Sequence, residues 1–420
     1  MEDIKLIAEQ IKSEGGRLYL VGGAVRDTLI GKTVHDEDYC VTGLSCEKFQ
    51  EMFPKAYLRG KSFGVFDIDG REFAMARTEL KQGRGHKEFQ IKVDSKISIE
   101  EDLARRDITI NAIAKDILTG QILDPFNGQE DLKNKVIRAT TYHFKEDPLR
   151  VYRAARFAAQ LGFLVENDTI KQMNDLKEEL ETLSKERVFV EVSKALATYR
   201  PSVFFEVLKK ADVLDIHFKE IKDLIGAEQP QKYHPEGDAY NHTMLALDMA
   251  SSMTEKFDTN RKLEIRFSAL VHDLGKGKTP KEQYPHHYGH ENRGVELVAT
   301  FGNNIKAPNN WIKCGKTACK EHMRGGIFYK MKSAKKVDFI ERVDKTLLGL
   351  DGLQIIVISD KTSGGRECNK EDVSFEIIGK RCINEIDGKY IQNKYGLKPG
   401  IEFGNKLHEE RIKWMDNMNK

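Results

Sequence analysis

Cysteine is scarce and scattered: Cys40, Cys46, Cys314, Cys319, Cys368 and Cys382 are spread over 420 residues with no close C-x-x-C pair. Neither a disulfide framework nor a zinc knuckle is signalled, and reduced, structural thiols are expected. Long apolar runs are missing too. No stretch approaches the roughly 18 residues of a membrane helix, and the charged opening Met1-Glu2-Asp3-Ile4-Lys5 lacks a signal-peptide apolar segment. A soluble, cytoplasmic chain with no membrane partner is predicted. Net charge is only +2, too little to diagnose a nucleic-acid partner, although positive charge gathers locally between Lys320 and Lys336. No fixed-period repeat or low-complexity tract is present.

What is there suits a multidomain globular protein. Apolar residues make up 40% and charged residues 32%, enough to build cores, and the length leaves room for two or three domains. Leu18-Tyr19-Leu20-Val21 reads as a short buried strand, and Gly22-Gly23-Ala24-Val25-Arg26-Asp27 turns the chain into a helix ending near Gly31. Further strands are predicted at Glu37 to Thr42, Gly64 to Ile68 and Arg71 to Ala76. From Asp147 onward the spacing of Leu149, Tyr152, Ala155, Phe157 and Leu161 is helical, and strand signals become sparse. The Pro/Gly-punctuated segment from Gln229 to Gly237 reads as a junction.

Asp36 and Asp38 stand two apart near the start of a predicted strand, where a period of two places both carboxylates on one face and turns Glu37 away. Such hard oxygen ligands suit Mg²⁺, and a two-metal site can activate a hydroxyl while stabilising a leaving pyrophosphate. Gly22 and Gly23 let backbone N–H groups approach a triphosphate, with Arg26 adding charge-assisted hydrogen bonds. Taken separately, the glycines are a tight turn and the acidic run an exposed loop. Together they describe phosphoryl-group handling.

Leu20-Val21-Gly22-Gly23-Ala24-Val25-Arg26-Asp27 followed by Asp36-Glu37-Asp38 resembles the head domain of bacterial-type (class II) transfer-RNA nucleotidyltransferases, the CCA-adding enzymes. The resemblance implies catalytic metal binding by Asp36 and Asp38. Asp102-Leu103-Ala104-Arg105-Arg106-Asp107-Ile108-Thr109-Ile110-Asn111 is similar to the family segment that contacts the ribose and phosphates of the incoming nucleotide. That implies nucleotide contacts from Arg106, Asp107 and Asn111. An Asp that accepts from ribose hydroxyls is one way to prefer ribonucleotides; a surface helix cap is the plainer reading. Ala76 to His86, polar and glycine-bearing, looks like the family's flexible loop.

Glu146-Asp147-Pro148-Leu149-Arg150 reads first as a helix N-cap followed by proline at the first helical position. That leaves unexplained Arg150, Arg153 and Arg156, spaced by three along one helix face, the first beside a helix N-terminus that disfavours cations. An Asp acceptor beside an Arg donor matches cytosine and adenine, which both present an exocyclic amino donor next to a ring-nitrogen acceptor. The family assigns this role to its Glu-Asp-x-x-Arg motif. The resemblance therefore implies base selection by Asp147 and Arg150 and triphosphate contact by Arg153.

Downstream, His242 falls in a predicted helix, His272-Asp273 follow Leu270-Val271, and Asp360 follows an Ile/Val run. These residue types can hold one or two divalent metals for phosphoester hydrolysis, although a lone histidine is more often a surface or satisfied core residue. Val271-His272-Asp273-Leu274-Gly275-Lys276-Gly277 resembles the signature of histidine-aspartate (HD) phosphohydrolases. Tyr284 to Glu291 is similar to the segment that follows it in HD-bearing transfer-RNA nucleotidyltransferases, with His290 and His322 as further candidate ligands.

The expected fold is α+β: a nucleotidyltransferase head with a small mixed sheet (1–140), then an all-α neck carrying the base-selection motif (141–228), an HD body (229–365) and a tail (366–420). The resemblance implies addition of C, C and A to the 3′ end of tRNA from CTP and ATP, with Mg²⁺ at the head. It also implies phosphatase or 2′,3′-cyclic phosphodiesterase activity, with Ni²⁺, Mn²⁺ or Mg²⁺ at the HD site. The expected state is a monomer or dimer. A-adding or CC-adding enzymes and poly(A) polymerases share the head motifs and stay open. So do two readings of other classes, an HD hydrolase with a nucleotide-sensing head and a structural RNA-binding protein.

Overall fold

The computed structural model describes residues 3–34, 36–59, 64–81, 89–365 and 374–418. The chain divides into two compact units, one of residues 1–191 with 203–216 and one of residues 192–202 with 217–420.

In the first unit the strands are β1 (Arg17–Val21), β2 (Asp38–Thr42), β3 (Tyr57–Arg59), β4 (Val65–Ile68), β5 (Arg71–Met75), β6 (Arg77–Lys81), β7 (Phe89–Val93), β8 (Ala114–Asp116) and β9 (Ile122–Leu123). Seven of them form a mixed sheet in the order β3-β4-β5-β2-β1-β8-β9. Only β2 and β5 run parallel; the other pairings are antiparallel. Strand alternation feeds two cores. Leu18, Tyr39 and Val41 join Ile7, Phe49, Phe66 and Phe73 on one face, while Tyr19, Val21 and Cys40 meet Leu103, Ala112 and Ala114 on the other.

Two expectations change here. Strand β2 begins at Asp38, so Asp36 lies upstream of any strand and alternation alone does not place it. Arg77 to Lys81, expected within a flexible loop, pairs with β7 as a hairpin from Arg77↔Val93 to Lys81↔Phe89; Gln82 to His86 lies outside the described residues. Arg77-Thr78-Glu79-Leu80-Lys81 carries a single apolar residue, so no apolar alternation marks this strand.

The helix Leu149–Leu161 packs ten buried residues into the first unit. Pro148 occupies the position before its first residue, one earlier than expected, and the Asp147 carboxylate still satisfies the Leu149 N–H at 3.0 Å. Gly162, at φ 70°, supplies the left-handed residue that ends it. A two-residue strand pairing, Val136–Ile137 with Leu164–Val165, interrupts the otherwise helical neck.

The second unit is helical. Helices Ala239–Met253, Thr259–Val271, His290–Asn304, Asn309–Gly326 and Gly349–Thr362 form its middle. Arg266 is fully buried there, donating to the Leu196, Thr198 and Ser251 carbonyls and to Thr254 and Glu255. It adds donors to carbonyls at the C-terminal ends of two helices. The segment Gln229 to Gly237, expected as a junction, lies inside this unit. Among the described residues, no helix is long and apolar enough to cross a membrane, and Cys40, Cys46, Cys314, Cys319 and Cys382 are free thiols.

Candidate functional site

The head site grows from the end of β1. The register Val21↔Asp38 sets Asp38 beside the glycine turn, and Asp38↔Glu72 sets it against a second carboxylate. Gly22 holds φ 72°, and a Cβ there would come within 2.9 Å of Arg106 Nη1, so the absence of a side chain lets that guanidinium lie over the turn. Asp36 and Asp38 are both exposed. Partial desolvation lifts the Asp38 carboxyl above the usual range, Arg106 opposes the rise, and Glu72 and Asp36 add to it. Crowded carboxylates of this kind favour a cation, and two open aspartates fit a divalent ion.

A continuous hydrogen-bond chain joins this turn to the helix Leu149–Leu161. Arg26 Nη1 donates to Asn111 Oδ1 at 2.7 Å, Asn111 Nδ2 donates to Asp107 Oδ1 at 3.1 Å, and Arg153 Nη2 meets Asp107 Oδ2 at 2.7 Å. Burial works against the Asp107 charge, but Arg153, Asn111 and Arg150 outweigh it and hold the carboxyl down to about 2. The surface-cap reading of Asp107 fails, because the residue is buried. Asp102, also buried, binds Arg105 at 2.7 Å and Arg106 at 3.2 Å. Asp147 meets Arg187 at 2.9 Å, and Arg150 donates to the His143 carbonyl. Arg156 leaves the group to form a buried ion pair with Glu191 at 2.5 Å.

The ring of Phe157 lies 5.2 Å from the Arg26 guanidinium carbon, 5.6 Å from that of Arg153 and 3.9 Å from that of Arg156. It orders cations without neutralising them.

In the second unit, histidines from separate helices converge on Asp273. His242 Nε2 lies 3.0 Å from Asp360 and 3.6 Å from Asp273 Oδ2, and His272 Nε2 lies 3.3 Å from the same oxygen. The other Asp273 oxygen faces His290 Nε2 at 3.2 Å and His322 Nε2 at 3.4 Å. The backbone carbonyls of Ala269, His287 and Cys319 lie 2.7–2.9 Å from the Nδ1 atoms of His272, His290 and His322 respectively. They fix the tautomer that points each Nε2 lone pair inward.

The donor set fits metal. His272 Nε2 and both Asp273 oxygens are buried without a hydrogen-bond partner among the described residues, although Lys276 Nζ stands 2.6 Å from Asp273 Oδ2 as an ion pair. Two overlapping ligand groups result, His242-His272-Asp273-Asp360 and Asp273-His290-His322, with Asp273 common to both. Burial opposes the Asp273 charge, yet Lys276 and His272 hold its carboxyl well below the usual range. Close packing builds this cluster: a Cβ on Gly275 would fall 2.0 Å from the His290 carbonyl, and one on Gly294 2.3 Å from Cys319 Sγ.

Comparison with known proteins matches three family models in chain order: the Poly A polymerase head domain over residues 18–138, a probable RNA-binding site of polymerase A over 162–225, and the HD domain over 239–346. The "Multifunctional CCA protein" of Shewanella denitrificans is 43% identical over 336 residues, 78% of this chain and 79% of that one. Its namesake from Haemophilus influenzae is 37% identical over 408 residues, 94% and 97% of the two chains. The chain belongs to the multifunctional CCA protein family.

Solved structures share the fold of this family member. The Thermotoga maritima CCA-adding enzyme complexed with tRNA gives a TM-score of 0.66 at 19% identity, covering 98% of this chain and 90% of that one. The Bacillus stearothermophilus CCA-adding enzyme in complex with CTP gives 0.60 at 22% identity, covering 98% and 96%. The α+β expectation of a head with a small mixed sheet followed by a helical body holds.

Of the residues singled out in the sequence, Arg26, Asn111, Asp107 and Arg153 form one chain, Arg106 lies over Gly22 and pairs with Asp102, and all six HD candidates meet. Sequence reasoning missed Glu236, which lies 2.8 Å from His242 Nδ1 and 3.0 Å from His234 Nδ1, and Lys276, which bridges Asp273 and Gln229. Lys276 lay within a quoted motif, three residues past Asp273. Glu236 carried no signal beyond its place in a Pro/Gly-rich segment.

Proposed function

We propose that this chain extends the 3′ end of tRNA by C, C and A from CTP and ATP, without a nucleic-acid template. The observation that carries the reading is the Arg26-Asn111-Asp107-Arg153 chain, which sets a charged wall from the glycine turn to the Glu-Asp-x-x-Arg helix, with Asp36 and Asp38 open beside the turn. Arg26, Arg106 and Arg153 receive the triphosphate, Gly22 and Gly23 give its phosphates close backbone approach, and Asp107 and Asn111 face the ribose. Asp147 and Arg150 read the donor–acceptor edge shared by cytosine and adenine. The RNA 3′-oxygen attacks the α-phosphorus, the bond to the bridging oxygen breaks, and pyrophosphate leaves. Mg²⁺ held by Asp36 and Asp38 supplies the charge that acidifies the hydroxyl and stabilises the leaving group.

The functional segments are assigned as head 1–140, neck 141–228, HD body 229–365 and tail 366–420. The HD body is assigned a second activity, hydrolysis of phosphomonoesters or 2′,3′-cyclic phosphates at RNA ends. The convergence of four histidines and two aspartates supports it, with Ni²⁺, Mn²⁺ or Mg²⁺ as the ion.

The test is incubation with Mg²⁺ and a tRNA transcript ending at the discriminator base, with CTP and ATP supplied singly and together, and sequencing of the products. C-C with CTP alone and C-C-A with both is the expected result. A single A added only to a transcript ending in C-C would make it an A-adding enzyme, arrest at C-C a CC-adding enzyme, and long A tracts a poly(A) polymerase.

A further inference from the structure

We propose that the exposed ring of Tyr142, backed by His143, is the stacking platform for the 3′-terminal base of the RNA being extended. The proposal rests on the nucleotidyl-transfer reading above.

Tyr142 opens the short 3₁₀ turn Tyr142–Glu146, which, with the two threonines before it, is tied to Asp107, Ala104 and Arg150. The Thr140 N–H donates to the Asp107 carbonyl at 3.3 Å, the Thr141 hydroxyl donates to the Ala104 carbonyl at 2.8 Å, and Arg150 donates to the His143 carbonyl. The turn is thus anchored beside Asp107 and Arg150, which the proposed reading sets at the ribose and the base.

Within the turn, Phe144 and Glu146 are buried, while Tyr142 is 73% exposed. Its ring lies 4.0 Å from the His143 ring centre with the planes 32° apart, and His143 is held by Glu146 Oε1 at 2.8 Å from Nδ1. A single exposed aromatic residue is ordinary on a protein surface. This one is backed by a second ring, anchored through backbone and side chain, and set at the rim of the nucleotide site, so its free face is pre-ordered for a flat partner.

The nature of the grip selects the occupant. The incoming base is read along its edge, where hydrogen bonds discriminate. The end of the RNA does not keep one identity, being the discriminator base at the first step and C at the next two. Stacking on an aromatic face tolerates any base, which is what a growing end requires.

The full chain carrying Tyr142→Ala, Tyr142→Phe or Tyr142→Leu tests this, with a tRNA transcript ending at the discriminator base and steady-state kinetics in RNA and in CTP. Tyr142→Ala and Tyr142→Leu are expected to raise KM for RNA about tenfold, with KM for CTP within about twofold, and Tyr142→Phe to behave as the parent. Two different side-chain losses guard against a folding artefact, and a surface position predicts an unchanged melting curve. An unchanged RNA KM in both overturns the proposal. So does a rise confined to KM for CTP, which would put the incoming base on the ring. Failure of the underlying reading registers separately, as no incorporation of CTP into the transcript by the parent chain.

Discussion

Asp36 and Asp38 lie open to solvent where β2, the central strand of the sheet, begins, whereas His242, His272 and Asp273 are sealed from it, and the Asp360 side chain, 20% exposed, opens their cluster outward. The open pair has two carboxylates and needs further oxygens to complete a coordination shell. A nucleotide's phosphates bring them, so the ion is expected to enter and leave with substrate and product. The sealed cluster already provides six nitrogen and oxygen donors, three of them through tautomers fixed by backbone carbonyls. Its ion is expected to be resident, and nitrogen donors point to a transition metal over Mg²⁺.

The largest expected effect separates the two sites outright. Asp38→Asn should lower the rate of CTP incorporation about 1,000-fold or more, the loss of several kcal/mol of charge stabilisation, while leaving 2′,3′-cyclic phosphate hydrolysis intact. Asp273→Asn should do the reverse. Paired assays on the two variants check this, and a loss of both activities in either variant would dissolve the distinction. Next in size is metal-linked stability. Adding Ni²⁺ to chelator-stripped protein at about 100 times its dissociation constant should stabilise the helical unit by about 2.7 kcal/mol. Mg²⁺ without nucleotide should leave the melting of the head where it is, because the open pair is only half a site. Thermal unfolding in each condition reads both.

A third change acts on the sealed cluster through packing alone. Gly275→Ala places a methyl 2.0 Å from the His290 carbonyl, so the helix that carries His290 must retreat from Asp273. A loss of about 1–3 kcal/mol in stability is expected. The Ni²⁺-induced rise in melting temperature should shrink with it, while CTP addition stays at the parent rate.

How much of this was legible in the sequence differs between the same two regions. Gly22-Gly23, Arg26 and Asp36-Glu37-Asp38 are local patterns, and the strand and turn they imply follow from neighbours in the chain. Even there, alternation was stretched one step too far, since Asp36 precedes β2. The link from Asn111 to Asp107 and on to Arg153 was not legible, because no periodicity reports which helix face meets which turn 46 residues away. The ligand types of the sealed cluster were visible one by one, and the His272-Asp273 pair drew attention to them. That Asp273 serves both ligand groups depends on five elements meeting at one point, which the close glycine contacts at Gly275 and Gly294 help to permit. Glu236 stayed hidden for the same reason, as its role exists only once His242 has arrived beside it.

The smallest expected effect probes what Phe157 adds to the arginines of the open site. Arg26 and Arg153 already meet Asp27 and Asp107, so Phe157 adds order to side chains that are partly held. Phe157→Met conserves volume in a buried position, at a cost below about 1.5 kcal/mol, and removes the aromatic face that Arg26 and Arg153 share with Arg156. A cation–π contact of about 0.5–1 kcal/mol converts to a roughly threefold rise in KM, and the rise should be equal for CTP and ATP, because the triphosphate is common to both. The turnover number should hold, since these arginines grip the triphosphate alike in the ground and transition states. A rise for one nucleotide alone would mean that the substitution disturbs base reading at Asp147 and Arg150. A fall in turnover with KM unchanged would place Arg26 or Arg153 on the leaving pyrophosphate, with contacts that strengthen only as the bond breaks, and the open site would then owe its selectivity to the reaction step and not to binding.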